Sequence, residues 1–413
     1  MAGIKKGVKI ALLTGTLAIT GFLASGTRAP QAKDAASSTD SQTTIQPADY
    51  LNFPVSDFRN DLVSWLDSAF KANDLPGMAV AVVYRDSILY TGTWGYTSLK
   101  THQPLSNDSP FRLGSLSKGV SSVLTSRLVQ AGYLDWDDCV SDYLPDFRIG
   151  KYDDITIRQI LSHTTGLPYH AHTSLIESKW SLEKALPYLA HVKTISKPGQ
   201  LYSYQNLAYS AIQPVLEKAT GKSYPDLLNE YLFQPMGMLH ASCDQASMLH
   251  DSLAAQPHVH TRKGWYQRQI TAKYYNAIPA GGVNASINDM AHYVKNLLGY
   301  GQLDAHEFTP IFEPFIKTPI ERRYFRDWDQ LNEAYYGMGW RILVNQEDTV
   351  YYHGGFVNYY RSEIAMRPCD GLGIVFLFNE FTPFAKQVVP EILRLFDPYR
   401  STLESWPLPV ATS

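Results

Sequence analysis

Residues 110–134 of the chain are PFRLGSLSKGVSSVLTSRLVQAGYL, in which Ser115 stands three positions before Lys118. Apolar residues follow at helical spacing: Val120, Val123, Leu124 and Leu128. This spacing predicts an amphipathic helix that begins near Gly114 and ends at Gly132. Residues i and i+3 share a helix face, so the Ser115 hydroxyl and the Lys118 amine are expected to lie within reach of each other. The positive end of the helix dipole favours an alkoxide there, which makes Ser115 a candidate nucleophile.

Two further Ser-x-x-Lys patterns show that this spacing alone is weakly specific. Ser68 and Lys71 belong to a predicted amphipathic helix over residues 57–73. Ser181, followed by Lys184, is typical of a serine N-cap with an acidic residue in the first turn. Other parts of the chain must therefore distinguish Ser115 from these two serines.

A second candidate element lies in PGQLYSYQN, residues 198–206, where Tyr204 and Asn206 lead into a predicted helix. A tyrosine held near cations can have a lowered pKa and act as a general base. An asparagine amide can hold both a lysine and a substrate carbonyl. Tyr50 and Asn52 have the same spacing and the chain contains 27 tyrosines, so a structural role is the alternative for this pair.

The third candidate element is His353-Gly354-Gly355-Phe356, which lies between two predicted strands. Paired glycines let a backbone approach a ligand closely, and the N–H that follows them can donate to a developing oxyanion. A plain glycine turn in a hairpin is the alternative interpretation.

The order of predicted elements indicates an α+β fold. Strands are predicted near both ends of the chain, at 78–84, 87–94, 337–343, 349–352, 359–367 and 373–379. Helices are predicted at 57–73, 157–161, 207–220, 224–233, 288–298 and 386–396. Side chains alternate in 359–367, the pattern of a half-buried antiparallel strand. We expect one antiparallel sheet built from both chain ends and flanked by helices, with a mainly helical lobe inserted at about 115–298. The predicted catalytic domain spans 57–400, and 401–413 form a C-terminal tail.

The N-terminal region has the features of an export signal. Lys5, Lys6 and Lys9 precede a mostly apolar run at 10–24 that ends in small residues, so residues 1–26 are predicted to be a signal peptide or an uncleaved signal anchor. Residues 27–56 are polar and aperiodic, which predicts a disordered spacer. The catalytic part is therefore expected outside the cytoplasmic membrane, in the periplasm or the extracellular space, with membrane contact only through such an anchor.

Composition excludes several classes of function. The chain is 45% hydrophobic and 18% charged with a formal charge of -3, and it has no arginine-rich run, so nucleic acid is not expected as a partner. The three cysteines, Cys139, Cys243 and Cys369, form no metal-binding pattern and allow at most one disulfide. They are expected to be buried free thiols.

The three elements occur in the order Ser-x-x-Lys, Tyr-x-Asn, His-Gly-Gly, and several longer stretches accompany them. These include FRLGSLSKGVSS (111–122), ITIRQILSHTTGLP (155–168), PAGGVNASINDMAHY (279–293) and HGGFVNYYRSEIAMRP (353–368). Together they resemble the serine β-lactamase and penicillin-binding protein superfamily, in its class C β-lactamase-related branch. That branch also holds carboxypeptidases, D-amino-acid peptidases and esterases, and the resemblance covers about 57–396. It implies a β-lactamase/transpeptidase-like fold.

The resemblance also implies a role for each site residue. Ser115 is the expected nucleophile that forms an acyl-enzyme, Lys118 takes or stabilises its proton, and Tyr204 is the partner base that later activates water. Asn206 is expected to position the substrate and Lys118. The backbone N–H groups of Ser115 and Phe356 are expected to form the oxyanion hole, with no metal or organic cofactor.

One departure from the family pattern affects the expected substrate. His353 stands where class C β-lactamases have the lysine of Lys-Thr-Gly, and a histidine is only partly charged near neutral pH. The expected substrate is a small molecule or peptide with an amide or ester carbonyl, namely a β-lactam, a D-amino-acid peptide as in a D-alanyl-D-alanine carboxypeptidase, or an ester. A carboxylesterase, or a penicillin- or peptidoglycan-binding sensor without turnover, is the alternative.

Histidine pairs and aromatic residues give weaker signals. His170 with His172, and His258 with His260, lack further ligands at helpful spacing, so zinc is not expected. Five tyrosines are candidates for lining a cleft, without a firm assignment to substrate: Tyr169, Tyr274, Tyr275, Tyr335 and Tyr359.

Overall fold

The computed structural model of the chain describes residues 55–328, 331–346 and 348–404. The predicted export signal, nearly all of the predicted spacer and most of the predicted tail lie outside these ranges. None of the helices within them combines the length and hydropathy of a membrane span.

The described strands, in chain order, are β1 Gly77–Tyr84, β2 Ser87–Ser98, β3 Gln103–Pro104, β4 Phe111–Arg112, β5 His258–Thr261, β6 Gly264–Gln267, β7 Asn284–Ala285, β8 Ile316–Thr318, β9 Glu333–Tyr336, β10 Arg341–Val344, β11 Thr349–Val357, β12 Tyr360–Arg367 and β13 Leu372–Phe378. Nine of them form one sheet in the order β3-β2-β1-β13-β12-β11-β10-β9-β8. Each neighbouring pair is antiparallel. Strands from the two ends of the chain meet where β1 pairs with β13, which confirms the predicted sheet.

The described α-helices are α1 Val55–Ala72, α2 Leu116–Gln130, α3 Val140–Tyr143, α4 Ile157–Leu161, α5 Thr173–Glu177, α6 Leu182–Ala185, α7 Asn206–Ser210, α8 Ile212–Thr220, α9 Tyr224–Leu228, α10 Gln234–Met236, α11 Gln245–His250, α12 Ile278–Gly281, α13 Ile287–Leu297, α14 Thr309–Phe312, α15 Ala385–Phe396 and α16 Arg400–Glu404. Short 3-10 turns lie at Leu186–His191, Ala305–Phe308 and Asp397–Tyr399, and a π-turn lies at Asn229–Phe233. Helices α2 to α14 form the inserted helical lobe, and the α+β prediction is confirmed.

The sheet separates two hydrophobic cores, because successive side chains of a strand point to opposite faces. In β1, Ala79, Ala81 and Val83 contribute to the core shared with the helical lobe. Val80 and Val82, between them in sequence, contribute to a second core under α1 and α15. Both faces of the sheet are therefore covered, and the sheet forms a rigid support for the helical lobe.

Helix α2 lies inside the molecule, which differs from the predicted amphipathic helix. Its polar side is buried as well as its apolar stripe, through Ser117, Lys118, Ser121, Ser122, Thr125 and Ser126. The small hydroxyl groups find partners there: Ser117 Oγ accepts from Val283 N at 3.0 Å, and Ser121 Oγ accepts from Tyr224 OH at 2.6 Å. Trp340 fits against Gly119, where a Cβ would lie 2.8 Å from its indole ring. Helix α2 is thus a buried helix of the lobe that packs against β11 and β12 of the sheet.

Two strand predictions are wrong in their bounds. Residues 337–340 do not form a strand but the turn between β9 and β10, in which Gly339 has a left-handed φ of 78°. Strand β11 continues past residue 352 to Val357, so His353-Gly354-Gly355-Phe356 lies inside a strand and not in a turn.

Three further expectations, two about burial and one about a helix, are corrected. All eight residues of β12 are buried, so the strand that was predicted to be half-buried is enclosed on both faces. The helix predicted over 207–220 is divided at Ala211 into α7 and α8. The three cysteines are free, but only Cys243 is buried, and Cys369 is exposed.

Candidate active site

A cleft with a volume of about 550 Å³ opens above the N-terminus of α2. Its lining includes six of the eight predicted site residues: Ser115, Tyr204, Asn206, His353, Gly354 and Phe356. The other two, Lys118 and Gly355, are buried directly behind this surface. The structure therefore brings together three elements that are about 90 and 150 residues apart in sequence.

Ser115 is the N-cap residue of α2 and is the least buried member of the Ser-x-x-Lys element. Its hydroxyl makes no capping hydrogen bond to the helix, so its Oγ is available to the cleft. Tyr204 OH lies 2.9 Å from Ser115 Oγ, and Lys118 Nζ lies 3.4 Å from it. All three Ser-x-x-Lys serines lie within the described ranges, and of these three Ser115 alone lines the cleft.

The Lys118 amine is fully buried beneath the cleft floor. Besides Ser115 Oγ, it contacts Asn206 Oδ1 at 2.8 Å and the carbonyl oxygen of Ala280 at 2.9 Å. These partners are uncharged, and removing an ammonium group from water without an opposite charge disfavours its protonated form. Burial therefore holds the pKa of Lys118 well below its usual range. A neutral Lys118 can donate its two N–H groups to Asn206 and Ala280 and direct its lone pair at the Ser115 hydroxyl.

Tyr204 contributes its phenol from the segment that leads into α7. Burial raises the pKa of Tyr204, and the hydrogen bond with Ser115 only partly opposes this effect. The direction is opposite to the lowered tyrosine pKa expected from nearby cations. Because its hydroxyl stays protonated, Tyr204 donates to Ser115 Oγ, which leaves the Ser115 O–H free to donate to a neutral Lys118 Nζ.

Asn206 opens α7 and connects Lys118 to the cleft. Its Oδ1 accepts from Lys118, and its Nδ2 donates to Tyr274 OH at 2.9 Å. The second hydrogen of Nδ2 faces His170 Nδ1 across 3.4 Å. The amide is thus held in one orientation, with its oxygen on the lysine and its nitrogen toward the cleft wall.

Gly355 of β11 and Gly114, just before α2, allow the strand to pass close to the start of the helix. A Cβ on Gly355 would lie 2.1 Å from the carbonyl oxygen of Leu113, a distance that real Cβ atoms do not show. A Cβ on Gly114, which has a left-handed φ of 53°, would lie 2.7 Å from Phe356 N. The close approach therefore requires glycine at both positions, and it places the Phe356 N–H beside the residue that precedes Ser115.

His353 is buried in β11 and is not available as a cation. Its Nδ1–H donates to the carbonyl oxygen of Gly354 at 2.9 Å, and Tyr336 OH donates to its Nε2 at 3.2 Å. Burial, and then the charge of Arg341, hold the pKa of His353 well below its usual range. The fixed positive charge that a lysine would supply at this position is therefore absent.

Charged residues in the cleft wall were not predicted from the sequence. Two ion pairs line the cleft, Arg341 with Glu321 at 3.3 Å and Lys273 with Glu177 at 2.8 Å. Arg361 also reaches the lining from β12, where it pairs with the fully buried Glu363 and contacts Tyr324 OH. The alternation of Arg361 and Glu363 in the sequence suggested a solvent face, and no sequence signal indicated that these charges pair inside the protein.

Only some of the histidine and tyrosine candidates line the cleft. His170 lines the cleft, whereas His258 is buried and accepts the backbone N–H of Leu99. The described ranges contain no group of three or more His, Cys, Asp or Glu side chains arranged to hold a metal ion. Tyr169 and Tyr274 line the cleft. The other tyrosines have different surroundings: Tyr275 OH donates to Asn284, Tyr335 OH donates to Glu333, and Tyr359 lies in a turn with a φ of 70°.

Comparison with known proteins links this geometry to one family. The family profile described as Beta-lactamase matches residues 62–395. A β-lactamase of Escherichia coli strain K12 is 26% identical over 290 residues, which cover 69% of this chain and 71% of the relative. Protein flp of Staphylococcus aureus is 21% identical over 348 residues, which cover 82% of this chain and 66% of the relative.

Solved structures show the same fold. A penicillin-binding protein homologue from Pyrococcus abyssi, described as octameric, matches with a TM-score of 0.70 at 20% identity, over 81% of this chain and 77% of the other. A class C β-lactamase matches with a TM-score of 0.69 at 20% identity, over 84% and 98% of the two chains. The predicted β-lactamase/transpeptidase-like fold is confirmed.

Proposed function

This chain belongs to the β-lactamase family of serine hydrolases, and we propose that it hydrolyses an amide or ester carbonyl through an acyl-enzyme at Ser115. The observation that carries the proposal is the position of Ser115 Oγ, 2.9 Å from Tyr204 OH and 3.4 Å from the buried Lys118 Nζ. Binding alone does not require a nucleophile placed between a neutral amine and a phenol.

In acylation, Lys118 is the general base. As Ser115 Oγ bonds to the carbonyl carbon, its proton passes to the neutral Lys118 Nζ, and the carbonyl oxygen becomes an oxyanion. In this proposal the backbone N–H groups of Ser115 and Phe356 donate to that oxyanion. Such donors typically contribute about 3 kcal/mol each to transition-state stabilisation. Tyr204 then donates its phenolic proton to the leaving group and regains one from Lys118.

In deacylation, the same groups act on water. With Ser115 acylated, Tyr204 and Lys118 still face the reaction centre, and Tyr204 transfers the proton of an attacking water toward Lys118. Because burial raises the pKa of Tyr204, the phenol acts as a relay between water and the amine and not as a standing phenolate. The acid product leaves and the Ser115 hydroxyl is restored.

The neutral state of His353 bears on the choice of substrate. Penicillins and cephalosporins carry a carboxylate that the family's lysine would attract, and His353 supplies no such charge. We therefore propose that esters and D-amino-acid amides are better substrates than β-lactams. Two other cations of the cleft wall are already paired, Arg341 with Glu321 and Lys273 with Glu177.

A panel of three substrates tests the proposal. We expect measurable kcat/KM for an activated ester and for a D-amino-acid amide, and a lower value for benzylpenicillin. In the His353→Lys variant the ratio of penicillin to ester turnover should rise, because only the penicillin carries the carboxylate. A stable acyl adduct without turnover of any substrate would instead identify a penicillin- or peptide-binding sensor, and no adduct and no turnover would refute the hydrolase.

We also propose that the reaction takes place outside the cytoplasmic membrane. The support is the lysine-rich start and apolar run of residues 1–26. Expression of the full chain with cell fractionation and N-terminal sequencing tests this directly. Recovery of activity in the cytoplasm with an intact, unanchored N-terminus would contradict it.

A further inference from the structure

We propose that His163 is a positioning residue that holds the catalytic phenol of Tyr204 at Ser115. This inference rests on the proposed function, since it assigns a residue that acts through Tyr204. His163 does not line the cleft, and it belongs to the SHTTG segment, residues 162–166, which the mechanism above does not use.

Hydrogen bonds join His163 to both neighbours of Tyr204. The carbonyl oxygen of His163 accepts the backbone N–H of Ser203 at 2.8 Å. Its side-chain Nδ1 accepts the backbone N–H of Gln205 at 3.2 Å. The backbone N–H groups of the two residues that flank Tyr204 are thus both bonded to one residue.

The imidazole ring of His163 also packs directly on the ring of Tyr204. Their centroids are 4.3 Å apart, closer than its contacts with Tyr336 at 5.0 Å and Tyr209 at 5.1 Å. His163 is fully buried, so this ring contact lies in close-packed surroundings. Backbone and side chain of Tyr204 are therefore both held by the same histidine.

The conformation of His163 indicates a specific requirement for its side chain. Its φ of 60° lies in the left-handed region, where most residues with a Cβ are strained. Because Nδ1 accepts the Gln205 N–H, the proton of the neutral ring is on Nε2. Burial holds the pKa of His163 well below its usual range and preserves this form.

A simple packing role is the competing account. Other backbone contacts would keep the segment attached after a side-chain change, since Gly199 N–H donates to the carbonyl oxygen of Thr164 at 2.7 Å. A substitution at His163 therefore tests the Nδ1 bond and the ring contact without freeing the whole segment. A displacement of about 1 Å in a reacting group can lower a rate on the order of a hundredfold.

Three variants test the inference, and in each the new residue, glycine or asparagine, readily adopts the left-handed φ of the position. His163→Gly removes ring and acceptor, His163→Asn restores an acceptor near the position of Nδ1, and His172→Gly is the control. His172 has a similar φ of 52° but packs against Tyr188, away from Tyr204. We expect His163→Gly to lower kcat for the best substrate of the panel by roughly 10- to 100-fold with KM within about threefold. His163→Asn should recover part of the loss, and His172→Gly should match the wild type.

The rates are expressed per active site and repeated in a Tyr204→Phe background. Labelling stoichiometry by intact mass gives the fraction of molecules that form an acyl adduct, so loss of folded protein does not enter the rate. If His163 acts through the Tyr204 hydroxyl, His163→Gly should have little further effect once that hydroxyl is gone. An equal loss in both backgrounds, or an unchanged rate per acylable site, would overturn the inference. A wild-type protein without turnover would instead refute the proposed function, and this inference with it.

Discussion

The same four-residue pattern, Ser-x-x-Lys, occurs in three surroundings in this protein. Ser68 lies on the exposed side of α1 and donates to the carbonyl oxygen of Ser64, and Lys71 is exposed. Ser181 caps α6 by accepting the backbone N–H of Lys184, which is also exposed. Ser115 begins α2 at the cleft, and its lysine has no exposed surface.

The comparison shows that surroundings, and not spacing, create the candidate chemistry. An exposed lysine keeps its proton in water and serves no base function at neutral pH. The Lys118 amine has lost its water and gained only neutral partners, so its unprotonated form is favoured. Four substitutions test this difference, each beside a matched control elsewhere in the chain.

The largest expected effect is the loss of the nucleophile. Ser115→Ala should reduce turnover to background, a fall on the order of 10⁶ where a serine nucleophile is essential. Ser68→Ala and Ser181→Ala should retain wild-type kcat/KM with an activated ester. Similar losses in all three variants would contradict the assignment of Ser115 as the nucleophile.

Removal of the buried amine should have the next largest effect. Lys118→Met fills a similar volume without a base, so the acylation rate is expected to fall on the order of a thousandfold. Stopped-flow measurement with an activated ester would follow this step. Lys71→Met and Lys184→Met are matched controls at exposed sites. A comparable loss in either would contradict the claim that burial makes Lys118 the general base.

The phenol is expected to contribute less than the amine. Tyr204→Phe should lower turnover by a factor on the order of a hundred, since it removes a proton relay but keeps the ring. Tyr202→Phe is the matched control, because Tyr202 is a nearby half-buried tyrosine whose hydroxyl is buried and has no hydrogen-bond partner within the described ranges. Equal rates for the two variants would exclude Tyr204 from the mechanism.

The smallest effect belongs to the capping serine. Ser181→Ala should lower the free energy of unfolding by about 0.5 kcal/mol, the low end of the range for N-caps, because its capping bond is long at 3.4 Å. Denaturant unfolding of this variant beside Ser68→Ala would measure it. A change in kcat at unchanged stability would contradict the purely structural role of Ser181.

Much of the fold was accessible from the sequence because its signals are local. The strand runs of β1, β12 and β13 and the helix α15 were located to within about two residues, as were Ser115 and Lys118 on a common helix. Each of these depends on a periodicity or a short pattern that the chain itself contains. The pairing of strands from both chain ends followed from that arrangement.

The rest depends on contacts between distant segments. The serines of α2 suggested a solvent face, but Tyr224 and the backbone of Val283 satisfy their hydroxyls inside the protein. The paired glycines suggested a turn, whereas the carbonyl of Leu113 requires glycine at position 355 within a strand. Arg361 likewise became a buried cleft residue through Glu363. No local pattern contains this information.

The protonation of Lys118 is the most direct test of the account. Nuclear magnetic resonance can follow the side-chain carbon and nitrogen shifts of isotope-labelled lysine across pH, with Lys118 assigned by its absence in Lys118→Met. Burial disfavours the ammonium, so we expect the pKa of Lys118 to be well below 10.5 and the acylation rate to rise with pH through that same value. A Lys118 amine that titrates in the usual lysine range, with acylation unaffected by its protonation, would contradict the account.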